Sequence, residues 1–212
     1  MMAPRFDTNF RAQLHELFVW RRDTRHFNTE PLPDGAIDRL LQLATLAPSV
    51  GLSQPWRFVT VDSPQRRAAI VAAFQHCNAA ALECYEGERA RSYALLKLSG
   101  LQEAPSHVAV FADRETLTGH GLGRLTMPEM AEYSVVAAVQ LIWLAARAEG
   151  IGLGWVSILP PDEVTAILEV PATWRFIGYL CLGFPRVEHD TPELERVGWE
   201  QRRAVLPEVV RR

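Results

Sequence analysis

The sequence predicts an α+β fold with a central mixed β-sheet flanked by helices. Three observations carry this expectation. Helical periodicity leads the chain, short β-branched and aromatic runs alternate irregularly with helical stretches, and the stretches joining those runs differ greatly in length. A regular doubly wound fold would space its strands more evenly. With 212 residues, 48% of them hydrophobic and 22% charged, the chain reads as one globular domain over 1–212, large enough to bury a core.

Taken in order, residues 8–22 start at a cap supplied by Asp7 or Thr8 and repeat apolar positions through Phe10, Leu14, Leu17 and Phe18, which predicts a helix. A second helix follows PLPD, with Ile37, Leu40, Leu41 and Ala44 on one face. It should stop where Pro48 restricts Ala47. Strands are expected over 57–61, 107–111, 154–158 and 176–182, each short and bounded by Gly, Pro or Asp. Residues 64–99 read as a long helical region broken near Gly87. Residues 129–149 read as a strongly apolar helix ending at Gly150, and its near-uniform face predicts burial at the centre of the fold. The final segment, PELERVGWEQRRAVLPEVVRR, is apolar but short and interrupted by proline. Over 192–212 it is expected to be an extended arm, lying on its own body or around a second copy.

Composition excludes several classes. A net charge of −3 and a pI near 6.1 argue against a protein that coats nucleic acid. The longest uncharged apolar stretch, 133–146, is shorter than the roughly 20 residues that cross a bilayer, so no membrane partner is expected. Residues 1–20 lack the apolar run of a secretory signal, and the three cysteines form no C-x-x-C pair; both point to the cytoplasm. Cys77 and Cys84, seven apart, are expected on one helix face in the core. The six histidines have no ligand-like spacing, so no metal is expected.

Four stretches could carry chemistry. VWRRDTRHF places Arg21, Arg22 and Arg25 around the single carboxylate Asp23. Guanidinium groups grip phosphate, and Arg21 and Arg25 would share a face if helical geometry persists; otherwise they complement a helix dipole in solvent. LAPSVGLSQPW combines an irregular backbone at Pro48, Gly51 and Pro55 with the hydroxyls of Ser49 and Ser53, which suits either a ligand loop or a plain turn. IGLGWVSIL opens a strand with Gly152 and Gly154 and ends in Ser157; glycine there admits a flat ligand or the close packing of two elements. GHGLGR, residues 119–124, fits no nucleotide fingerprint and reads as a mobile loop.

Together, RRDTRHF, APSVGLSQPW, the apolar helix leading into GLGWVS, and YLCLGFP resemble the FMN-dependent nitroreductase family in order and spacing over nearly the whole chain. Asp23 stands where that family usually carries Ser, and Leu52 where it usually carries Asn; both are similar to its flavin-fragmenting branch. The resemblance implies a nitroreductase-like fold, a homodimer with FMN at the interface, and a C-terminal arm crossing to the partner. It implies that Arg21, Arg22, Asp23, Thr24 and Arg25 meet the flavin phosphate and ring edge. It further implies that Pro48, Ser49, Gly51 and Ser53 line the isoalloxazine, that Arg89, Leu98 and Ser157 add contacts, and that Arg202 or Arg203 reaches the phosphate.

The implied reaction consumes reduced FMN and O2, keeps the dimethylbenzene ring in 5,6-dimethylbenzimidazole, the lower ligand of vitamin B12, and releases erythrose 4-phosphate. A separate NAD(P)H flavin reductase would supply the reduced FMN. Asp23, kept ionised by the arginines, would accept a proton, and Ser157 would hydrogen-bond the flavin nitrogens; these are the two expected catalytic residues. Two other readings remain, an NAD(P)H-dependent nitroreductase or flavin reductase that returns FMN intact, and a non-catalytic flavin-binding protein.

Overall fold

The computed structural model describes residues 3–96, 99–203 and 209–212. Asp7 caps helix α1 (Thr8–Trp20) by accepting the Phe10 N–H at 2.8 Å, and the helix runs out at Trp20. None of its residues is buried. Helix α2 (Ala36–Ala44) follows a left-handed Gly35 and buries Ala36, Leu40 and Ala44. Strand β1 (Trp56–Thr60) leads to α3 (Pro64–Leu82), α4 (Gly87–Leu95) and the short α5 (Gly100–Glu103). The expected break therefore falls over 83–86, with Gly87 at positive φ opening α4. Strand β2 (Ser106–Asp113), helix α6 (Met130–Ala148), strand β3 (Gly152–Val156), helix α7 (Pro161–Leu168), strand β4 (Trp174–Gly183) and the single turn α8 (Glu193–Arg196) complete the order. Among the described residues, no helix is long and apolar enough to cross a membrane.

The strands lie in the order β1-β2-β4-β3, so β1 and β3 are the two edges. All three ladders are antiparallel. The parallel component of the expected mixed sheet is confined to an isolated bridge between Asp23 and Leu153. Strand alternation divides the core: Val108, Val110, Ala112, Leu180 and Leu182 face α2 and α6, while Ala109, Phe111, Tyr179 and Cys181 face α3 and α7. On the latter face His107 is buried between the Tyr179 hydroxyl (3.0 Å) and the Ala104 carbonyl (3.1 Å), and burial pushes its pKa down to about 4.

Two expectations change. Helix α6 buries Ser134, Val135, Ala138, Val139, Ile142 and Ala146 against the sheet, but Tyr133 and Val136 stand 54% and 42% exposed. One face is central; the other is open. Cys84 is exposed rather than core, because α3 stops at Leu82 and helical spacing never reaches it; Cys77 is half-buried. The start of the C-terminal segment lies on its own chain, where Trp199 meets Tyr85 edge-on (5.5 Å) and Arg89 covers the Trp199 ring (5.0 Å).

Candidate functional site

The arginine segment is extended, not helical. Arg21 already has φ −69° and ψ 110°, and from there the chain runs beside edge strand β3, with the Thr24 N–H donating to the Leu153 carbonyl at 3.0 Å. In extended backbone, residues two apart share a side. Arg21, Asp23 and Arg25 thus line one recess of about 210 Å³, together with Arg22, Glu193 and Arg202. The expected pairing of Arg21 with Arg25 survives, but through a period of two, and that period brings Asp23 between them.

Thr24 turns the other way and explains the glycines of GLGWV. A Cβ on Gly152 would meet Thr24 Oγ1 at 2.7 Å, and one on Gly154 would lie under 3.0 Å from the Thr24 carbonyl oxygen. The space that the sequence left open for a flat ligand is filled by the chain itself. Of the two readings of these glycines, close packing of two elements is the one realised.

Asp23 is tethered on both oxygens. Oδ1 accepts the Trp155 backbone N–H at 3.0 Å, and Oδ2 accepts from Arg25 Nε at 3.4 Å. Its side chain keeps 35% exposure, against 12% for Arg25. Burial raises the Asp23 pKa above the ordinary carboxylate value, opposed by the Trp155 N–H and by Arg25. Arg25 acts on Asp23 in the expected direction, favouring its charged form, and burial opposes it. Arg21 and Arg22 are themselves shifted down by burial, with Arg202 adding to the shift in both.

Arg22 spends its guanidinium on backbone carbonyls, those of Asp190 and Arg21, each at 2.7 Å. It ties the segment beyond β4 to the recess. The Arg21 guanidinium lies 4.7 Å from the Trp143 ring centre, and the Trp143 indole N–H donates to the Arg22 carbonyl at 3.1 Å. A larger cleft of about 400 Å³ opens beside the same segment, lined by Thr24, His26, Arg147, Arg186 and Arg196 among others. Of Arg202 and Arg203, it is Arg202 that lines the recess. Sequence reasoning missed Trp143 and the Trp155 N–H, since neither sits near the arginines in the chain.

The proline loop lies elsewhere. Its 3₁₀ turn, Val50–Leu52, holds Gly51 and Leu52 at φ 56° and 55°, and Gln54 follows at 45°. The Ser49 hydroxyl accepts the Gln54 N–H at 3.1 Å, and the Ser134 hydroxyl accepts the Val50 N–H at 3.0 Å. Ser53 is 2% exposed, and its hydroxyl has no partner among the described residues. Among the described residues, none of 48–53 lines the recess or the adjoining cleft. The loop leads into β1 while the arginine segment flanks β3, opposite edges roughly 14 Å apart at three inter-strand spacings.

Other expected residues are also apart. Ser157 is exposed one residue beyond β3, two positions from the N–H that holds Asp23. Arg89 is engaged with Trp199, stacking on its ring and donating to its carbonyl at 3.0 Å. Leu98 lies outside the described residues.

The recess suits a phosphorylated ligand. Four guanidinium groups line it against two carboxylates, and Asp23 is already bonded to Arg25 and to a backbone N–H. The buried Ser53 hydroxyl leaves an unused hydrogen-bonding group in the proline loop.

Comparison with known proteins gives a consistent set of likenesses. Residues 18–184 match the model of the nitroreductase family. A protein of Rhodospirillum rubrum named 5,6-dimethylbenzimidazole synthase is 57% identical over 95% of both chains. One of Rhodobacter capsulatus with the same name is 46% identical over 92% of this chain and 95% of its own. The crystal structure of oxidized iodotyrosine deiodinase bound to FMN and 3-iodo-L-tyrosine superposes with a TM-score of 0.71 at 23% identity, covering 94% of this chain and 97% of that one, which shows a shared fold.

Proposed function

The chain belongs to the nitroreductase family, and from that premise we propose that it is an enzyme making 5,6-dimethylbenzimidazole from reduced FMN and O2. The observation that carries this reading is the 57% identity, across 95% of both chains, to a relative named for that product. The recess adds support at the level of chemistry: it offers an excess of guanidinium groups for a phosphate and one carboxylate beside them.

Reduced FMN, when bound, supplies the electrons taken by oxygen, the dimethylbenzene ring of the product and the phosphorylated carbons that leave as erythrose 4-phosphate. Arg21, Arg25 and Arg202 hold the phosphate, with Arg22 fixing the segment that carries Arg202. Asp23, beside the guanidinium groups that would hold the phosphate, would be the group that accepts and returns a proton. Its raised pKa favours that role, since a carboxyl that holds its proton less reluctantly both accepts and releases it. Ser157, exposed one residue beyond the strand that anchors Asp23, would orient the ring nitrogens.

The ring itself needs the proline loop, which this chain places at the far edge of its own sheet. We therefore take the site to be completed by residues 48–53 of a second copy in a homodimer. Apolar side chains left open on α2, α6 and the proline loop, among them Leu46 at 75% and Leu52 at 71% exposure, supply a face for that copy. The arm over 192–212, of which 204–208 lie outside the described residues, is proposed to cross to the partner. Reduced FMN comes from a separate NAD(P)H flavin reductase.

A single-turnover experiment tests the reading. FMN reduced without oxygen is loaded on the protein, air is admitted, and the products are weighed by mass spectrometry. Benzimidazole with loss of flavin is expected. Recovery of intact FMN rejects the proposal, and steady NAD(P)H oxidation by the chain alone would identify a flavin-cycling reductase.

A further inference from the structure

The GHGLGR loop lines neither the arginine recess nor the adjoining cleft, yet it is packed backbone to backbone against the proline loop. A Cβ on Gly119 would lie under 3.0 Å from the Gly51 carbonyl oxygen and 3.2 Å from Ser53 Cα; one on Gly51 would lie 2.9 Å from the Leu122 carbonyl oxygen. Gly123 leaves room only for Val50, whose Cγ2 would be 2.8 Å from an added Cβ. The loop is itself pinned. Arg124 donates to the carbonyls of Arg114 (3.2 Å) and Thr116 (2.8 Å), and Arg114 pairs with Glu132 on α6.

What it packs against needs holding. Gly51, Leu52 and Gln54 all have positive φ, and two of them carry side chains that disfavour it. Such a run does not keep one shape by local preference; a rigid neighbour must impose it. We infer that the GHGLGR loop is the mould of the proline loop and that Gly119 is a positioning residue for its ligand-facing side. This rests on the reading above that residues 48–53 face the flavin ring.

The loop contains its own control. Gly121 also has positive φ, 74° against 78° for Gly119, but a Cβ there would meet nothing within 4 Å. Alanine strains the backbone alike at both positions and obstructs the proline loop only from 119. Oxidised FMN and riboflavin, which lacks the phosphate, are titrated by fluorescence quenching against wild type, Gly119→Ala and Gly121→Ala, with melting temperatures recorded. Gly119→Ala should weaken both ligands roughly tenfold or more, since the ring half of the site is displaced, and Gly121→Ala should leave both unchanged.

Wild-type affinity in Gly119→Ala, or equal losses in the two variants, overturns the inference. If Gly119→Ala does not accumulate folded, Gly123→Ala takes its place, expected to show a severalfold loss and rejecting the inference if its affinities are those of wild type. Wild type that binds FMN but returns it intact after reduction and air removes the proposed reaction and leaves this inference standing, because affinity rather than turnover is read.

Discussion

Asp23 poses its question at the scale of one carboxyl group. Bonded to Arg25 and to the Trp155 N–H, it has the contacts of a structural tether, yet it keeps a third of its surface open beside the arginine recess. Asn at this position preserves the acceptor for Trp155 and removes the proton exchange. Asp23→Asn should therefore bind FMN within a few-fold of wild type and lose about 10²-fold or more in benzimidazole formation, measured in a single turnover. The raised pKa makes a second, independent prediction about the ligand-free protein. A carboxyl whose folded value exceeds its unfolded one stabilises the fold fully below the unfolded value, and that contribution is lost as pH rises through the folded value. The wild-type melting temperature should accordingly fall relative to Asp23→Asn as pH rises above the ordinary carboxylate value, a divergence that thermal melts across a pH series would record.

Elements decide how much of this was readable in advance. Helix α6 was legible as a long apolar run ending at Gly150, but its near-uniform composition hid which face is buried and that Tyr133 and Val136 stay open. Helix α7 escaped notice, since eight residues opened by Pro161 span barely two turns. The four strands were found with ends shifted by one or two residues, as at β3, which begins at Gly152 and leaves Ser157 outside. The arginine segment was legible in composition and not in shape: whether Arg21 continues α1 or leaves it depends on pairing with Leu153, more than a hundred residues away. Gly152 and Gly154 signalled that something comes close, but residue type alone does not say whether that is a ligand or Thr24. The distinction has a measurable cost. Gly154→Ala forces the arginine segment off β3 and should destabilise the protein by about 2 kcal/mol, a fall in Tm of roughly 4–8 °C for a chain this size, followed by circular dichroism.

For the whole molecule the open face is the governing feature. Tyr133 and Val136 project from a helix whose other side is the centre of the core, so a charge at either leaves the internal packing untouched. Tyr133→Asp should sediment as a monomer, keep its melting temperature within a few degrees, and lose FMN binding. A folded dimer with normal affinity would contradict the shared site. In the proposed homodimer, with the arginine recess and the proline loop on opposite edges of one sheet, each copy would give half of what two neighbours need. Defects in the two halves should then complement. When inactive Asp23→Asn chains are mixed and re-paired with chains crippled in the proline loop, every hybrid concentrates both lesions at one end and leaves the other end whole. Random re-pairing should restore about a quarter of all sites, from two populations that are each silent alone.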